Sequence, residues 1–207
     1  DAKTAVIPRY IPPRALAPAN TAPRQPSLTP SHLSRLADDR RFRGGGGGRL
    51  IPRLIIQTHK GEHFLSSGMR VATRRLLAVN PTYTFRYFSN PAAERFMLTH
   101  CGQRVLQAYH TVRPGAFKAD VFRYCVLYVL GGVYVDADVD AQRPLDDFIQ
   151  PSDAWLVPED NGRNQSLYNA FMAVAPRHPM TRAVLLETLA RIEARWHQRG
   201  EPLGITG

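Results

Sequence analysis

The chain lacks any run of about eighteen consecutive apolar residues, the length that a transmembrane helix needs, so none is predicted within these 207 residues. It has only two cysteines, Cys101 and Cys125, which are too few for the disulfide framework of a small secreted domain. We expect both to be packed thiols, which leaves the redox compartment open. Hydrophobic residues make up 43% of the chain, enough to bury the core of one domain.

Acidic residues are scarce, since 27 Lys and Arg stand against 17 Asp and Glu and give a formal charge of +10. Residues 1–49 hold 9 of these basic and 3 of these acidic residues, which leaves 18 against 14 for the remainder. The remainder is therefore only mildly basic, and because it shows no nucleic-acid-binding signature we predict no nucleic-acid partner. The seven histidines show no paired ligand spacing, which argues against a zinc site.

The first 49 residues differ in composition from the rest. They hold 7 of the 17 prolines, end in a run of glycines at 44–48 followed by Arg49, and show no hydrophobic period. Such a composition is typical of chain that does not bury a core. We predict a disordered Pro-, Gly- and Arg-rich arm or linker over residues 1–49, with one short helix capped by Ser31, and a folded domain over residues 50–207.

Strand and helix patterns alternate after the arm. The apolar run Leu54–Ile56 ends in polar residues, which predicts a buried first strand that opens into a loop at Gln57. Apolar residues from Met69 to Val79 recur at helical spacing, and the aromatic stretch Tyr83–Phe88 predicts a second strand parallel to the first. Two short helices are predicted at 92–101 and 103–109.

The most apolar segment is Ala116–Leu130, which a pair of glycines follows. It predicts a central helix buried on most sides, which leads into a strand with the sequence VYVD. A short strand at 154–157 and an amphipathic helix from Leu185 to Trp196 complete the pattern. The predicted fold class is therefore α/β.

Three aspartates alternate with apolar residues at the end of the predicted VYVD strand, in the sequence VYVDADVD. Ligands of open α/β sheets bind beyond the carboxyl ends of the strands, which places Asp136 and Asp138 at a site. Two hard oxygen ligands one residue apart can share Mg²⁺ or Mn²⁺ with the phosphates of a ligand. A solvated acidic turn is the alternative interpretation of the same pattern.

Asp120 and Arg123 stand out because the rest of the predicted central helix is apolar. Lying three residues apart, they share one face of the helix. They either form a buried ion pair within the helix or present a polar edge to a ligand. We favour ligand binding, since the same helix leads directly into the strand that carries Asp136.

Two other functions fit parts of the pattern. In a haloacid-dehalogenase-like phosphatase Asp136 would be the nucleophile, but that mechanism also needs a downstream lysine and none follows Lys118. A non-enzymatic divalent-cation-binding domain is the second, because Asp136, Asp138 and Asp140 take the first, third and fifth places of an EF-hand loop. Asp147 takes the twelfth place. In that loop Ala141 stands where the sharp turn needs glycine.

The segment AFKADVFRYCVLYVLGGVYVDADV resembles the central motif of glycosyltransferase family 32, the sugar transferases with a DXD motif. That motif is an Ala-x-x-x-Asp-x-x-Arg-Tyr helix followed by Gly-Gly-x-Tyr-x-Asp-x-Asp. Members include the initiating α-1,6-mannosyltransferase of yeast outer chains and the inositol phosphoceramide mannosyltransferases. IPRLIIQTHK, NPTYTFRYFS and NQSLYNAFMAVAPRHPM resemble the family's first strand, its second strand and a later Asn-containing segment. The similarity covers about residues 50 to 207.

The resemblance implies a GT-A fold, a Rossmann-like nucleotide-sugar-binding domain with a mostly parallel sheet and the DxD motif at a strand end. It implies that Asp136 and Asp138 are the catalytic pair and hold Mn²⁺ or Mg²⁺ on the donor diphosphate. The other residues that it implies bind substrate are Asp120 and Arg123 on the sugar and phosphate side, Gln57 and Thr58 near the nucleotide, and Asn169 lining the site. Tyr134 and Gly132 are expected to shape the turn.

The implied activity is transfer of a hexose, with mannose expected, from a nucleotide sugar to a glycan or glycolipid acceptor with retention of configuration. The donor would be GDP-mannose or a UDP-hexose. Many relatives read His-Gln-x-Trp where this chain reads Ile-Gln-Thr-His at 56–59, so base stacking by a tryptophan is not expected there. Family analogy places the enzyme in the Golgi or another endomembrane lumen, with membrane association through a segment not present here. We expect the 50–207 domain to be C-terminally incomplete.

Overall fold

The computed structural model describes residues 48–160 and 167–194. Most of the predicted arm, the predicted helix at Ser31 and the predicted helix end at Trp196 lie outside these residues. Across the two described stretches, no helix is both long enough and apolar enough to cross a membrane.

Strands and helices alternate along the described chain. The strands are β1 (Leu54–Thr58), β2 (Thr84–Phe88), β3 (Gly132–Val135), β4 (Trp155–Leu156) and β5 (Phe171–Val174). The helices are α1 (Ser67–Ala78), α2 (Asn90–His100), α3 (Gln103–Thr111), α4 (Gly115–Leu130) and α5 (Pro179–Glu193). Short 3-10 turns occur at Glu62–Phe64 and Leu145–Asp147. The strands and helices predicted in this part of the chain are all present, with shifted ends.

The five strands form one mixed sheet in the order β2-β1-β3-β5-β4. β1 pairs in parallel with β2 on one side and with β3 on the other. β5 runs antiparallel to both β3 and β4, so it alone opposes the common direction of this sheet. The predicted crossover from β1 through α1 to a parallel β2 is confirmed, as are the α/β class and the mostly parallel sheet.

β5 is the strand that the sequence did not predict. Its four residues are all buried, and they form an apolar run with neither alternation nor a strong turn signal before it. A run of this kind cannot be distinguished by periodicity from a buried helical segment. The strand is defined by its long-range pairing with β3. Val135 lies opposite Phe171, and the backbone N–H of Asp136 donates to the carbonyl of Ala170 over 2.8 Å.

β1 extends two residues further than predicted. The loop was expected to begin at Gln57, but Gln57 and Thr58 pair with Tyr87 and Phe88 of β2. The prediction failed because polar side chains suggested a loop, whereas the backbone hydrogen bonds of a strand do not depend on side-chain polarity. Gln57 is only 1% exposed, and its Oε1 accepts a 3.0 Å hydrogen bond from Thr73 on α1.

The sheet carries a separate apolar cluster on each face. Residues alternate between the faces along each strand, so Ile56 and Tyr134 point toward α2, α3, α4 and α5 while Ile55 and Val133 point toward α1. The first cluster is the larger and encloses α4, in which ten of sixteen residues are buried. The predicted central helix, buried on most sides, is confirmed.

Two adjacent glycines connect α4 to β3 at a place where side chains do not fit. Gly131 has φ 64° and Gly132 has φ 100°, values in the region that favours glycine. A Cβ on Gly132 would lie 2.6 Å from the carbonyl oxygen of Leu54 in β1. This close approach lets the chain leave α4 and enter the middle of the sheet without a loop, which fixes the distance between the helix and the strand end that follows.

The two cysteines form a disulfide, so the prediction of packed free thiols is wrong. Cys101 follows the end of α2 and Cys125 lies in the middle of α4, and their Cα atoms are 6.3 Å apart. The two helices are packed together, with the rings of Phe96 and Phe122 in edge contact at 6.1 Å. A spacing of 24 residues in the sequence gives no sign that this packing brings the cysteines together.

Removal of the disulfide should lower the stability of the domain. Replacing Cys101 and Cys125 together by alanine releases a loop of 24 residues, which should cost about 3 kcal/mol of the free energy of unfolding. Urea denaturation of the wild type and the double variant, both without reductant, measures the difference. Equal stabilities, or two free thiols titrated in the unfolded wild type, would contradict the disulfide.

Gly132 should not tolerate a side chain, whereas Gly115 should. Gly132→Ala forces a residue with a Cβ into a positive φ and against the backbone of β1, so we expect a loss of about 3 kcal/mol. Gly115→Ala is the matched control, because a Cβ there meets nothing within 4 Å at the start of α4. Chemical denaturation of both variants tests the contrast, and two equal effects would refute it.

Candidate active site

The candidate site lies where three segments meet at the carboxyl edge of the sheet. The end of β3 leads into Asp136 and Asp138, the middle of α4 carries Asp120 and Arg123, and the turn before β5 carries Asn169. β3 and β5 are neighbours in the sheet, and α4 packs on the face toward which Tyr134 points. The topology therefore brings together residues that are up to 49 positions apart in the sequence.

Asp136 and Asp138 differ in their surroundings. The side chain of Asp136 is 30% exposed and accepts hydrogen bonds from buried neighbours, whereas Asp138 is exposed in the turn that follows. Ala137 between them is buried, which anchors the turn. The backbone N–H of Val139 donates to the carbonyl of Asp136 over 3.1 Å and closes the turn. The pair thus presents one fixed carboxylate and one exposed carboxylate at the same strand end.

Arg123 is the centre of a buried ion-pair network. One terminal nitrogen lies 3.2 Å from Oδ1 of Asp120 and 3.2 Å from Oδ1 of Asp136. The other donates to the backbone carbonyl of Asn169. The guanidinium also lies over the ring of Tyr134, 4.6 Å from its centroid. Arg123 therefore connects α4, the end of β3 and the turn before β5.

The buried ion pair that the sequence offered as an alternative is thus present, and it extends beyond the helix. The ion pair does not exclude the ligand-binding role that we favoured, because Asp136 at the strand end belongs to the same network. Asn169 joins from the other side, since its amide nitrogen donates to Oδ1 of Asp120 over 3.2 Å and to the hydroxyl of Tyr124 over 3.3 Å. Four of the predicted site residues are therefore in mutual contact.

Three tyrosines surround this network, and none of them was predicted to belong to the site. The hydroxyl of Tyr134 donates to Oδ1 of Asp136 over 2.9 Å, so this residue does more than shape the turn. Tyr124 contacts Asn169. Burial raises the pKa of Tyr168, and the nearby charges of Asp136 and Asp138 raise it further. Spacing in the sequence could have identified two of them. Tyr124 lies one helical turn after Asp120, and Tyr134 lies two residues before Asp136, on the same face of the strand.

Gln57 and Thr58 reach the same edge of the sheet but not the network. Ile56 pairs with Tyr134, so continuing this register places Thr58 level with Asp136 on the adjacent strand. The hydroxyl of Thr58 donates to the carbonyl of Phe88, and Gln57 faces α1 on the opposite side of the sheet. Both residues therefore lie beside the DxD strand, with their recorded polar contacts made to the protein.

Burial and charge act against each other at Asp136. Burial raises the pKa of this carboxyl above its ordinary value and the charge of Asp138 raises it further, while Arg123 and the Tyr134 hydroxyl lower it. Burial likewise raises the pKa of Tyr124 to about 12, so its hydroxyl stays neutral at physiological pH. Asp120 and Asp136 thus share one guanidinium while Asp138 adds a third carboxylate nearby, and the surplus negative charge favours a cation.

The donor set suits a hard divalent cation that shares its ligands with a substrate. Carboxylate oxygens are what Mg²⁺ and Mn²⁺ prefer, and such ions typically take one or two protein carboxylates beside phosphate oxygens and water. Among the residues that the structure describes, no group of three or more His, Cys, Asp or Glu could hold a metal ion by itself. Asp136 and Asp138 fit the two-carboxylate arrangement.

Asp140 takes part in a different interaction. Its carboxylate pairs with Arg75 of α1 over 3.0 Å, and Gln142 donates to the same oxygen over 3.0 Å. Asp146 likewise pairs with Arg49 and Arg53 and accepts from Tyr83, contacts that join the start of the domain to the loop after β3. Both acids lie in the loop that an EF-hand would use to bind calcium, and both are already paired with side chains from outside that loop.

Comparison with known proteins agrees with this geometry. Residues 66–155 match the family described as "Glycosyltransferase sugar-binding region containing DXD motif". The matched stretch contains α4 and the DxD turn, while β1 and Asn169 lie outside it. The solved structure of the PaToxG glycosyltransferase has a TM-score of 0.60 with this chain at 20% identity, covering 77% of this chain and 66% of that one. This likeness shows the glycosyltransferase fold, and the predicted GT-A fold is confirmed.

Curated relatives include several mannosyltransferases. Inositol phosphoceramide mannosyltransferase 3 of Schizosaccharomyces pombe is 27% identical over 147 residues, which cover 71% of this chain and 39% of the relative. The initiation-specific alpha-1,6-mannosyltransferase of Candida albicans is 41% identical over 52 residues, 25% of this chain and 14% of that protein. An uncharacterized glycosyltransferase of Acanthamoeba polyphaga mimivirus is 24% identical over 132 residues, 63% of this chain and 53% of the relative. The chain thus spans about half or less of the length of these relatives.

Removal of the Arg123 charge should destabilise the domain in a pH-dependent way. Arg123→Met leaves Asp120 and Asp136 as buried carboxylates without their cation, which should cost about 3 to 5 kcal/mol at neutral pH. Burial already raises the pKa of Asp136, and loss of the Arg123 charge that opposes this effect should raise it further, so the deficit should shrink at pH 5 and grow at pH 8.

The matched control is Arg104→Met, which breaks the exposed pair with Glu193 and should cost at most about 1 kcal/mol. Urea denaturation of the wild type and both variants at the two pH values measures the differences. A deficit for Arg123→Met no larger than that of the control, or one independent of pH, would contradict the network.

Proposed function

We propose that this chain, whose residues 66–155 belong to the glycosyltransferases with a DXD-containing sugar-binding region, transfers a hexose from a nucleotide sugar to a glycan or glycolipid acceptor. The observation that carries the proposal is the position of the DxD pair at the carboxyl end of β3, with Asp136 tied to the charged network of α4. Relatives named as mannosyltransferases support mannose as the sugar and GDP-mannose as the first donor to test.

In this proposal Asp136 and Asp138 hold Mn²⁺ or Mg²⁺ against the donor diphosphate. When bound, such a cation offsets the negative charge that develops on the departing nucleoside diphosphate. Asp138 is exposed and can turn toward an incoming ligand, while Asp136 is oriented by the buried groups around it. The two carboxylates therefore bind at one strand end with different freedom of movement.

In this proposal the remaining site residues bind either the sugar end or the nucleotide end of the donor. Asn169 is half-buried and holds Asp120 through its amide, so the pair lines the sugar side and offers oxygens to sugar hydroxyls. Gln57 and Thr58 lie at the end of the neighbouring parallel strand, which supports a place for them near the nucleotide. We assign no residue as nucleophile or general base.

The disulfide supports an endomembrane lumen as the working compartment. Disulfides persist in oxidising compartments and are rare in the cytosol. The Cys101–Cys125 bond joins two helices of the core, and Cys125 is fully buried. Relatives named as an inositol phosphoceramide mannosyltransferase and an initiation-specific alpha-1,6-mannosyltransferase agree with a glycolipid or glycan acceptor, and we propose the Golgi lumen as the compartment.

The rival functions are less well supported. The relatives reported above are glycosyltransferases and give no support to the phosphatase interpretation. A calcium-binding loop would use Asp140 and Asp147 with the DxD pair, but Asp140 is paired with Arg75. A strand, and not a helix, enters the acidic loop.

Donor binding should depend on a divalent cation. Calorimetry of residues 48–207 with GDP-mannose, UDP-glucose and UDP-galactose, each with Mn²⁺, with Mg²⁺ and with chelator, should show one donor that binds only when a cation is present. The donor that binds identifies the nucleotide, and the ratio of the two affinities identifies the preferred ion. Equal binding with chelator, by protein shown to be folded, would refute the cation's role.

Asp138 should be essential for transfer and dispensable for folding. Asp138→Asn removes one charge from an exposed side chain, so stability should change by no more than about 0.5 kcal/mol while kcat/KM falls on the order of 100-fold or more. Asp147→Asn is the control, since it removes an equally exposed charge outside the site. Unchanged turnover of Asp138→Asn would refute the assignment. Loss of cation binding in Asp147→Asn would favour the EF-hand-like alternative.

A further inference from the structure

The two oxygens of Asp136 are used unequally by the protein. Oδ1 accepts the Tyr134 hydroxyl over 2.9 Å and an Arg123 nitrogen over 3.2 Å. Oδ2 has one long contact with the same nitrogen, at 3.4 Å. Oδ1 therefore accepts from two donors, whereas Oδ2 has only the longer contact with one of them and keeps more free acceptor capacity for a cation.

The two terminal nitrogens of Arg123 are occupied by protein groups, and its Nε is buried without a hydrogen-bond partner. Its side chain is 4% exposed, and its two terminal nitrogens donate to Asp120, Asp136 and the backbone of Asn169. A guanidinium in this state has little surface to offer a phosphate oxygen. The contacts observed are those of a group that orients carboxylates, which differs from the direct contact with the donor that the family resemblance implies.

Tyr134 is fully buried, yet it retains a polar group at the end of its ring. A phenylalanine would fill the same space in the first apolar cluster, while a buried hydroxyl costs free energy unless it is hydrogen-bonded. Here the hydroxyl has a single recorded partner, the Oδ1 of Asp136. The ring at the same time lies against the Arg123 guanidinium. One side chain therefore fixes both the carboxylate and the cation that holds it.

We propose that Tyr134 and Arg123 are positioning residues that clamp Oδ1 of Asp136 and so orient its Oδ2 toward a divalent cation. This inference rests on the proposed function. Both residues then act on the donor through Asp136, without contact to the donor itself. Groups that hydrogen-bond to a metal ligand commonly affect metal affinity nearly as much as the ligand does, by about 10- to 100-fold.

Mn²⁺ bound per protein, measured by electron paramagnetic resonance, tests the clamp without any turnover. Samples contain saturating GDP or UDP, whichever the wild type binds, with protein-free nucleotide as the blank. Tyr134→Phe removes only the hydroxyl and leaves the ring over Arg123, so we expect Mn²⁺ affinity to fall about 10-fold. Tyr109→Phe is the matched control, a buried tyrosine of α3 outside the site, and should bind Mn²⁺ like the wild type.

Arg123→Lys separates positioning from direct contact with the donor. If Arg123 acts through Asp136, the variant should need more Mn²⁺ to reach half-saturation, and it should bind GDP or UDP with wild-type affinity once Mn²⁺ is saturating. If Arg123 contacts the phosphates, nucleotide affinity at saturating Mn²⁺ should fall instead. Circular dichroism and thermal melting of both variants confirm that each is folded under the conditions of the measurement.

The failures of the clamp and of the proposed function are distinguishable. A wild type that binds no Mn²⁺ with any nucleotide would overturn the cation site and the clamp with it. A wild type that binds Mn²⁺, together with a folded Tyr134→Phe of equal affinity, would overturn the clamp alone. A 10-fold loss in Tyr134→Phe with an unaffected Tyr109→Phe would support it.

Discussion

The site depends on one buried positive charge. Arg123 is surrounded by Asp120, Asp136 and the carbonyl of Asn169, groups that come from three different segments of the chain. A guanidinium almost fully removed from water needs acceptors, which the two terminal nitrogens of Arg123 have here, and buried carboxylates are stable only beside a cation. Each partner is stable only in the presence of the other. The packing of α4 against the sheet and the orientation of the DxD strand end therefore depend on each other.

The disulfide and the paired glycines hold the frame in which this network can exist. Cys125 lies next to Tyr124 on α4, so the bond to Cys101 restrains the helix within one turn of the charged residues. Gly131 and Gly132 then allow the chain to turn from α4 into β3 without a loop. Covalent and steric constraints thus fix the distance between Arg123 and Asp136, which lie 13 positions apart in the sequence.

Local patterns predicted most of the fold, and the missing parts are those that depend on long-range contacts. The apolar run of α4 and the strand before Asp136 could be read from neighbouring residues alone. The pairing of β5 with β3, the disulfide and the last two residues of β1 could not, because each is decided by a segment distant in the sequence. At the site, residue chemistry pointed to Asp136, Asp138 and Arg123, but it gave no indication that Arg123 is enclosed by protein groups.

A DxD pair in which one carboxylate is rigid and the other exposed has a physical advantage for a cation that arrives with its substrate. Two fully buried carboxylates would repel each other and raise their pKa values, which would favour protons over metal. Two fully exposed ones would lose side-chain entropy on binding. Here Tyr134 fixes Asp136, while Asp138 remains exposed in the turn. This arrangement limits both the repulsion between the carboxylates and the loss of side-chain entropy. The site is then ordered before the donor binds and remains open to the donor's own phosphate ligands.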